Sequence, residues 1–376
     1  MIVRPESSNL GIPVSFTHGS SYPLDMEKLK AILVGCGAMS GAWLDAAKNI
    51  PDLEVAGLVD LRIKAAQARA TEFGLHDAHL GTDLAAMLEE TRANILFDCT
   101  IPEAHHDNAL LAFSHGVHVL GEKPLAHSIA HARAMVDAAR DTNCIHAVVQ
   151  NRRFDPNIRR VRRYLETNEI GPVTTLNADF YIATHFGGFR DVMPNVLLID
   201  MAIHTFDAAR LILNADPLSV YCHEWNPKDS WYAHGSNAMC IFEFSDGSVF
   251  NYRGSWCSEG FHTTWESDWR IVGTRGSLRW DGASQPRASV VVPNLANPSE
   301  GGRPDFFSQH REFELPAFHS DDAIGGHDGV IKDFVAAVRS GRQPETASSD
   351  NIKSLAMVFA AIESSKLEKK IPVVWE

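Results

Sequence analysis

The chain has 376 residues, 45% of them hydrophobic and 22% charged, which gives room for two domains and a substantial core in a soluble globular protein. Its net charge of −13 argues against a nucleic-acid partner, because phosphate binding needs clustered Lys and Arg. No run reaches the ~20 apolar residues of a membrane span, so no membrane partner is expected.

Residues 1–27 hold Pro5, Pro13 and Pro23 among several serines, without the apolar centre of a secretion signal. They read as a flexible arm, and Met26 offers an alternative start. Regular patterning begins next. Lys30 to Val34 predicts a strand, and Ala38 to Ile50 a helix with Met39, Trp43, Ala46 and Ala47 on one side. Leu53 to Val59 predicts a second strand, and Ile63 to Phe73 a helix closed by Gly74. Strands at Ile95–Cys99, Val117–Leu120 and Ile145–Val149 alternate with helices at His105–Ser114 and Ser128–Arg140. This alternation implies a parallel sheet with right-handed crossovers, a Rossmann-type dinucleotide-binding domain over residues 28–150. No internal repeat is present.

The first turn reads Gly35-Cys36-Gly37-Ala38-Met39-Ser40-Gly41. Gly35 permits the tight turn and Gly37 lets backbone approach a pyrophosphate. Ala38 and Met39 open a helix whose N-terminus favours negative charge. Ser40 stands where a third glycine is usual. Asp60 ends the second strand, where a carboxylate can bond both ribose hydroxyls and repel a 2′-phosphate. That favours NAD; Arg62, two residues on, could contact adenine or a phosphate and leaves NADP open.

Lys123 lies in Gly121-Glu122-Lys123-Pro124-Leu125-Ala126, where Pro124 fixes a rigid turn after a buried strand. Beyond Val149 the pattern changes. Pro156 to Thr167 predicts a helix. Its basic residues, with Arg152 and Arg153 before it, suggest a solvated helix face or a subunit contact. Val173 to Ala183, Leu218 to His223, Asn237 to Phe244, Ser248 to Trp256, Trp269 to Val272 and Ser277 to Trp280 predict strands of one large, mostly antiparallel open sheet in an α+β domain over residues 151–376. Ala283 to Asp305 reads as an irregular excursion. Helices at His327–Arg339 and Ser349–Lys366 are expected to fold back on the core. Asp200 and His204 stand four residues apart, hence on one helical face.

The six cysteines, Cys36, Cys99, Cys144, Cys222, Cys240 and Cys257, form no C-x-x-C pair, which fits a reducing, cytoplasmic setting. His105, His106, His115 and His118 lack a partner set at ligand spacing, so no metal is expected.

With these features the sequence resembles the glucose–fructose oxidoreductase, inositol dehydrogenase and MocA (Gfo/Idh/MocA) family over nearly all of residues 28 to 376. Four matches carry the resemblance: Gly35-Cys36-Gly37 with Asp60; Thr100-Ile101-Pro102 with His106, similar to T-P-x-x-x-H but with Ile101 inserted; Gly121 to Ala126, followed by Gln150 to Pro156; and Asp200-Met201-Ala202-Ile203-His204-Thr205-Phe206-Asp207. The resemblance implies a two-domain enzyme acting on a sugar, inositol or related polyol, with the nicotinamide lying over the open sheet. It implies Thr100, Pro102, His106, Glu122, Lys123 and Pro124 at the cofactor, and Lys123, Asp200 and His204 as the reactive group. It also implies a homodimer or homotetramer formed through the second domain. Pro194-Asn195-Val196 replaces the glycines common in the family before the Asp-x-x-x-His helix.

In such a site His204 serves as general base and Lys123 donates a hydrogen bond to the same oxygen, or the two roles are exchanged. Asp200 holds a substrate hydroxyl or orients Lys123, and Asp207 is expected to be structural. Arg153, His185 and Arg190 are expected at a polyhydroxylated substrate. Tyr181, Phe186, Trp225, Trp231, Tyr232, Trp256, Phe261, Trp265 and Trp269 supply rings, most of them for the sheet core. Two other readings stay open: a glycosidase of the same fold that uses held NAD for transient oxidation, and a non-catalytic nucleotide-sensing regulator.

Overall fold

The computed structural model describes residues 28–292, 308–317, 319–322 and 324–376. The expected arm over 1–27, and the part of the expected excursion beyond 292, lie outside them. The first sheet is built from β1 (Leu29–Val34), β2 (Leu53–Val59), β3 (His79–Gly81), β4 (Ile95–Asp98), β5 (His118–Gly121) and β6 (His146–Val148). All pairs are parallel, in the order β3-β2-β1-β4-β5-β6. The helices between them are α1 (Ser40–Ala47), α2 (Ile63–Phe73), α3 (Leu84–Thr91), α4 (Pro102–Ser114) and α5 (Ile129–Asp141). Residues Ala31 to Val34 and Ile95 to Asp98 are buried throughout, as strands covered by helices on both faces must be. Local chemistry sets the helix ends. Gly74 closes α2 at φ 65°, Ser128 caps α5 through the His131 amide, and Asp83 caps α3 through the amides of Ala85 and Ala86. Strand order reverses between β1 and β4, which opens a crevice at their C-terminal ends.

The remaining elements are α6 (Pro156–Glu166), β7 (Val173–Tyr181), α7 (Phe189–Val192), a π-wound segment (Leu197–Ala202), α8 (Ile203–Leu213), β8 (Pro217–Trp225), β9 (Asn237–Phe244), β10 (Val249–Ser255), β11 (Asp268–Gly273), β12 (Gly276–Trp280), β13 (Arg287–Val291), β14 (His310–Glu314), α9 (Gly326–Ser340), α10 (Ser348–Leu367) and β15 (Ile371–Pro372). Nine strands form the second sheet in the order β14-β13-β12-β11-β7-β10-β9-β8-β15. Only β7 and β10 pair in parallel. Alternation sorts its faces. Leu176, Ala178, Phe180, Phe242, Phe250, Tyr252, Trp269 and Ile271 are buried, whereas Leu218, Tyr221, Met239 and Ile241 are exposed. Helices α8 and α10 pack on the buried face, α10 also reaches α5, and α9 packs on α1. Helix α10 therefore ties the two sheets together, since it also contacts β6.

Two expectations need correction. The excursion from Ala283 contains a regular strand, β13, paired with β12 and β14. Most of the arginines around α6 are tied to other parts of the chain, although Arg163 stays 45% exposed. Arg153 is held by Asp207 and Asp350, Arg159 by Glu345, Arg163 by Asp322, and Arg160 by Gln285 and the carbonyls of Leu315 and Pro316. They clamp α6 to distant loops, because guanidinium forks satisfy carboxylates and carbonyls together.

Candidate active site

The crevice between β1 and β4 is shaped by a glycine turn that tolerates no side chain at its first position. Gly35 lies at φ 89°, and a Cβ there would sit 2.6 Å from the Cys99 carbonyl oxygen. At Gly37 a Cβ would meet nothing within 4 Å, so the turn faces open space beside exposed Ala38 and Met39. Ser40 Oγ donates back to the Gly37 carbonyl at 2.6 Å, a bond a glycine at this position could not make. Asp60 Oδ2 accepts from the Cys36 amide and Oδ1 from the Arg62 amide, both at 2.9 Å. The carboxylate thus braces the turn and still has lone pairs to offer a ribose. Next to it, Leu61, Arg62, Ile63, Lys64, Ala65 and Thr82 line an open hollow of about 630 Å³. A glycine turn at a helix N-terminus, a carboxylate at the ribose position and an apolar hollow with cations at its rim together fit a nicotinamide dinucleotide. NAD held there supplies an electron-pair acceptor or donor at the reactive face of its nicotinamide ring.

The end of β5 delivers Lys123 beside this crevice. The Lys123–Pro124 peptide bond is cis. Glu122 is buried, accepting from Trp43 Nε1 at 2.7 Å and from the Lys123 amide at 3.2 Å. It steadies the lysine backbone instead of offering a free carboxylate to a cofactor. Pro124 is also buried, and its carbonyl faces His105 Nδ1 at 3.0 Å, while His105 Nε2 lies 3.2 Å from the Thr100 carbonyl. Thr100 Oγ1 donates to Asp98 at 2.5 Å, and Pro102 opens α4.

His106 departs from expectation. Its Nδ1 pairs with Asp107 at 2.8 Å, and its ring stacks on His131, 4.2 Å between centroids. The histidine that fastens the Lys123 turn is His105. Counting from Thr100 across the Ile101 insertion, and not from Pro102, would have found it.

Lys123 Nζ donates to the Asp200 carboxylate at 2.9 Å and to the Asp200 carbonyl at 2.8 Å. Asp200 arrives on the π-wound segment and His204 on the first turn of α8, so the pair spans a change of helical winding of the kind often found at functional sites. The other oxygen of Asp200 accepts from Arg190 Nε at 2.6 Å. Arg190 itself stacks over Phe186 and Phe189, 4.9 and 4.7 Å from the ring centroids. Burial pushes the Asp200 carboxyl up, but the Lys123 and Arg190 cations outweigh it and hold it below the usual carboxylate range. Burial, then the charges of Lys123, Arg152 and His327, hold the His204 imidazole well below its ordinary value, and its Nδ1 is buried without a partner. His204 is therefore neutral near pH ~7 and able to accept a proton.

Two expected substrate residues are already engaged by protein groups. Arg153 is buried in the pair with Asp207 and Asp350, at 2.6 and 2.9 Å, which leaves its guanidinium facing protein carboxylates and not a ligand. Asp207 is thus part of an internal network. His185 stacks on Trp231 at 3.8 Å and faces Glu259 at 3.3 Å. Sequence reasoning missed His327, in the first turn of α9, whose ring feels the charges of Glu122 and Lys123; a lone histidine opening a distant helix carried no signal. Among the described residues, no group of three or more His, Cys, Asp or Glu is placed to hold a metal ion, and no helix is long and apolar enough to cross a membrane.

Comparison with known proteins gives a consistent result. Residues 29–150 match a model described as an oxidoreductase family with an NAD-binding Rossmann fold, and residues 158–279 match the GFO/IDH/MocA C-terminal domain. The chain is 25% identical to 1,5-anhydro-D-fructose reductase of Ensifer adhaerens, over 89% of this chain and 95% of that one. It is 25% identical to D-apiose dehydrogenase of Rhizobium rhizogenes, over 91% and 96%. An oxidoreductase from Agrobacterium radiobacter, solved in complex with NAD+, L-tartaric acid and magnesium, superposes with a TM-score of 0.79 at 21% identity, covering 92% of this chain and 98% of its own.

Proposed function

The chain belongs to the GFO/IDH/MocA family of NAD-binding oxidoreductases, and from that premise we propose that it interconverts a secondary alcohol and a ketone on a sugar or related polyol. The observation that carries this reading is the convergence of Lys123, Asp200 and Arg190 at the end of β5, with His204 close enough to feel the lysine's charge. The sugar-active relatives support the substrate class.

In this reading the substrate hydroxyl lies between Lys123 and His204. Neutral His204 accepts its proton as the alcohol is oxidised. The Lys123 ammonium, held by Asp200, donates a hydrogen bond to the same oxygen and stabilises the charge that develops on it. Asp200 is ionised, so it fixes the lysine and its remaining lone pair accepts from a neighbouring hydroxyl. Arg190 fixes Asp200. Phe186, half exposed beside Arg190, offers an apolar face to a sugar ring. A panel of sugars and polyols, followed by NADH absorbance with NAD and NADP in parallel, tests the reading. Turnover with NAD on at least one polyol is expected, whereas aglycone release without net NADH would favour the glycosidase of the same fold. The exposed Leu218, Tyr221, Met239 and Ile241 support a homodimer or homotetramer formed through the outer face of the second sheet.

A further inference from the structure

Asn195 stands at the head of the segment that carries Asp200. Its backbone is left-handed, at φ 52°, a conformation Asn adopts far more readily than most side chains. Its carbonyl accepts from the Ile199 amide at 3.0 Å and so closes the first turn of the segment. Its side-chain amide donates to Glu224 Oε2. Glu224 lies near the end of β8, where its own amide donates to Ser365 Oγ of α10 at 2.9 Å. The second carboxylate oxygen, Oε1, is buried without a partner. Gly235 makes room for the group: a Cβ there would sit 2.6 Å from the Glu224 carboxyl carbon. The same loop is tied to α7 through the Ala233 amide, which donates to the Asp191 carbonyl at 2.7 Å, next to Arg190. A buried carboxylate with no part in the redox step thus lies where the supports of Asp200 meet.

We propose that Glu224 is a positioning residue: acting through Asn195, it holds the head of the segment that sets Asp200 between Lys123 and Arg190. This rests on the reading of Lys123, Asp200 and His204 as the reactive group. The groups facing Glu224 are Asn195 from the turn before the segment, Ser365 and Lys366 from α10, Cys240 from β9 and the Gly235 backbone. Burial pushes the Glu224 carboxyl up to about 7, opposed by the Asn195 bond and the Lys366 charge. Opening the clasp hydrates Glu224 and returns it toward the ordinary value of ~4.3. The proton therefore favours the closed clasp. That preference is complete below the ordinary value and is lost as pH rises toward the raised one.

Hydrogen exchange at the Ile199 amide in the intact, ligand-free protein tests this. After correction for intrinsic rates, protection in the wild type should fall about tenfold between pH ~5.5 and ~7.5. Glu224→Gln keeps an acceptor for Asn195 but cannot ionise, and should lose that pH dependence. Asn195→Gly keeps the left-handed turn, removes the amide, and should show low protection at both pH values. Equal protection at both in the wild type, or an unchanged pH response in Glu224→Gln, overturns the proposal. Because the measurement needs no sugar, failure of the redox reading would show separately, as absent turnover across the polyol panel while the exchange response persists.

Discussion

Asp200 accepts from two cations through one carboxylate, and the two have different work. Lys123 bonds both its carboxylate and its carbonyl, so the ammonium is oriented in two directions. Arg190 adds to the Lys123 charge in opposing the burial of the acid, and holds its second oxygen. Truncating Arg190 to Ala should lower kcat about tenfold while leaving dinucleotide affinity unchanged, and Arg190→Lys should recover only part of it, since a point charge cannot reproduce the fork. Steady-state kinetics with separate kcat and KM decide this; wild-type kcat in Arg190→Ala would remove Arg190 from the site. His204 makes a second prediction. Its imidazole is held well below the ordinary value, so the acid limb of kcat/KM for alcohol oxidation should fall below pH ~6.5. A limb lying above pH ~6.5 would instead remove His204 from the role of base, and a pH profile in the oxidative direction decides this.

At the level of elements, the turn that leads into α6 is bolted to α8 and α10 by charge. Arg153 and Asp207 are 7% and 1% exposed at a 2.6 Å contact. Removing the arginine would leave the buried Asp207 carboxylate with only Ser354 and, at 3.8 Å, Arg210, so Arg153→Ala should destabilise the fold by about 3 kcal/mol, measured by denaturant unfolding; a loss below ~1 kcal/mol would contradict the network. Gly35→Ala should abolish dinucleotide binding, because it needs both a left-handed backbone and a Cβ within 2.6 Å of the Cys99 carbonyl oxygen. Titration calorimetry with NAD would show it. The doubly wound pattern was legible in the residues because each buried strand is an apolar run, and turn residues mark the ends, as Gly35 does after β1 and Gly74 after α2. Strand β3 was not, being only His79-Leu80-Gly81, although Asp83 ahead of Leu84 was a readable cap for α3. Strand β13 was hidden among prolines and glycines. The partners of Arg153 were illegible because Asp350 lies 197 positions away. Nothing in the residues between Asp200 and His204 announces a π winding; the spacing predicted one helical face, and the winding changes between the two residues.

Across the whole molecule, α10 joins the sheet that shapes the cofactor crevice to the second sheet and to α8, which carries His204. The outer face of the second sheet is left with Met239 46% and Ile241 50% exposed at alternate positions of β9. Replacing both with Glu should shift a homo-oligomer to smaller species by light scattering with the fold intact by circular dichroism; an unchanged mass would place the interface elsewhere. The account as a whole depends on Lys123 meeting a substrate hydroxyl beside NAD. The most direct measurement is NADH formation by wild type and Lys123→Ala on the same polyol panel, with NAD affinity determined for both. The account predicts turnover reduced by at least about a hundredfold in the variant, with NAD binding within a few-fold of wild type. Wild-type turnover in Lys123→Ala would contradict it.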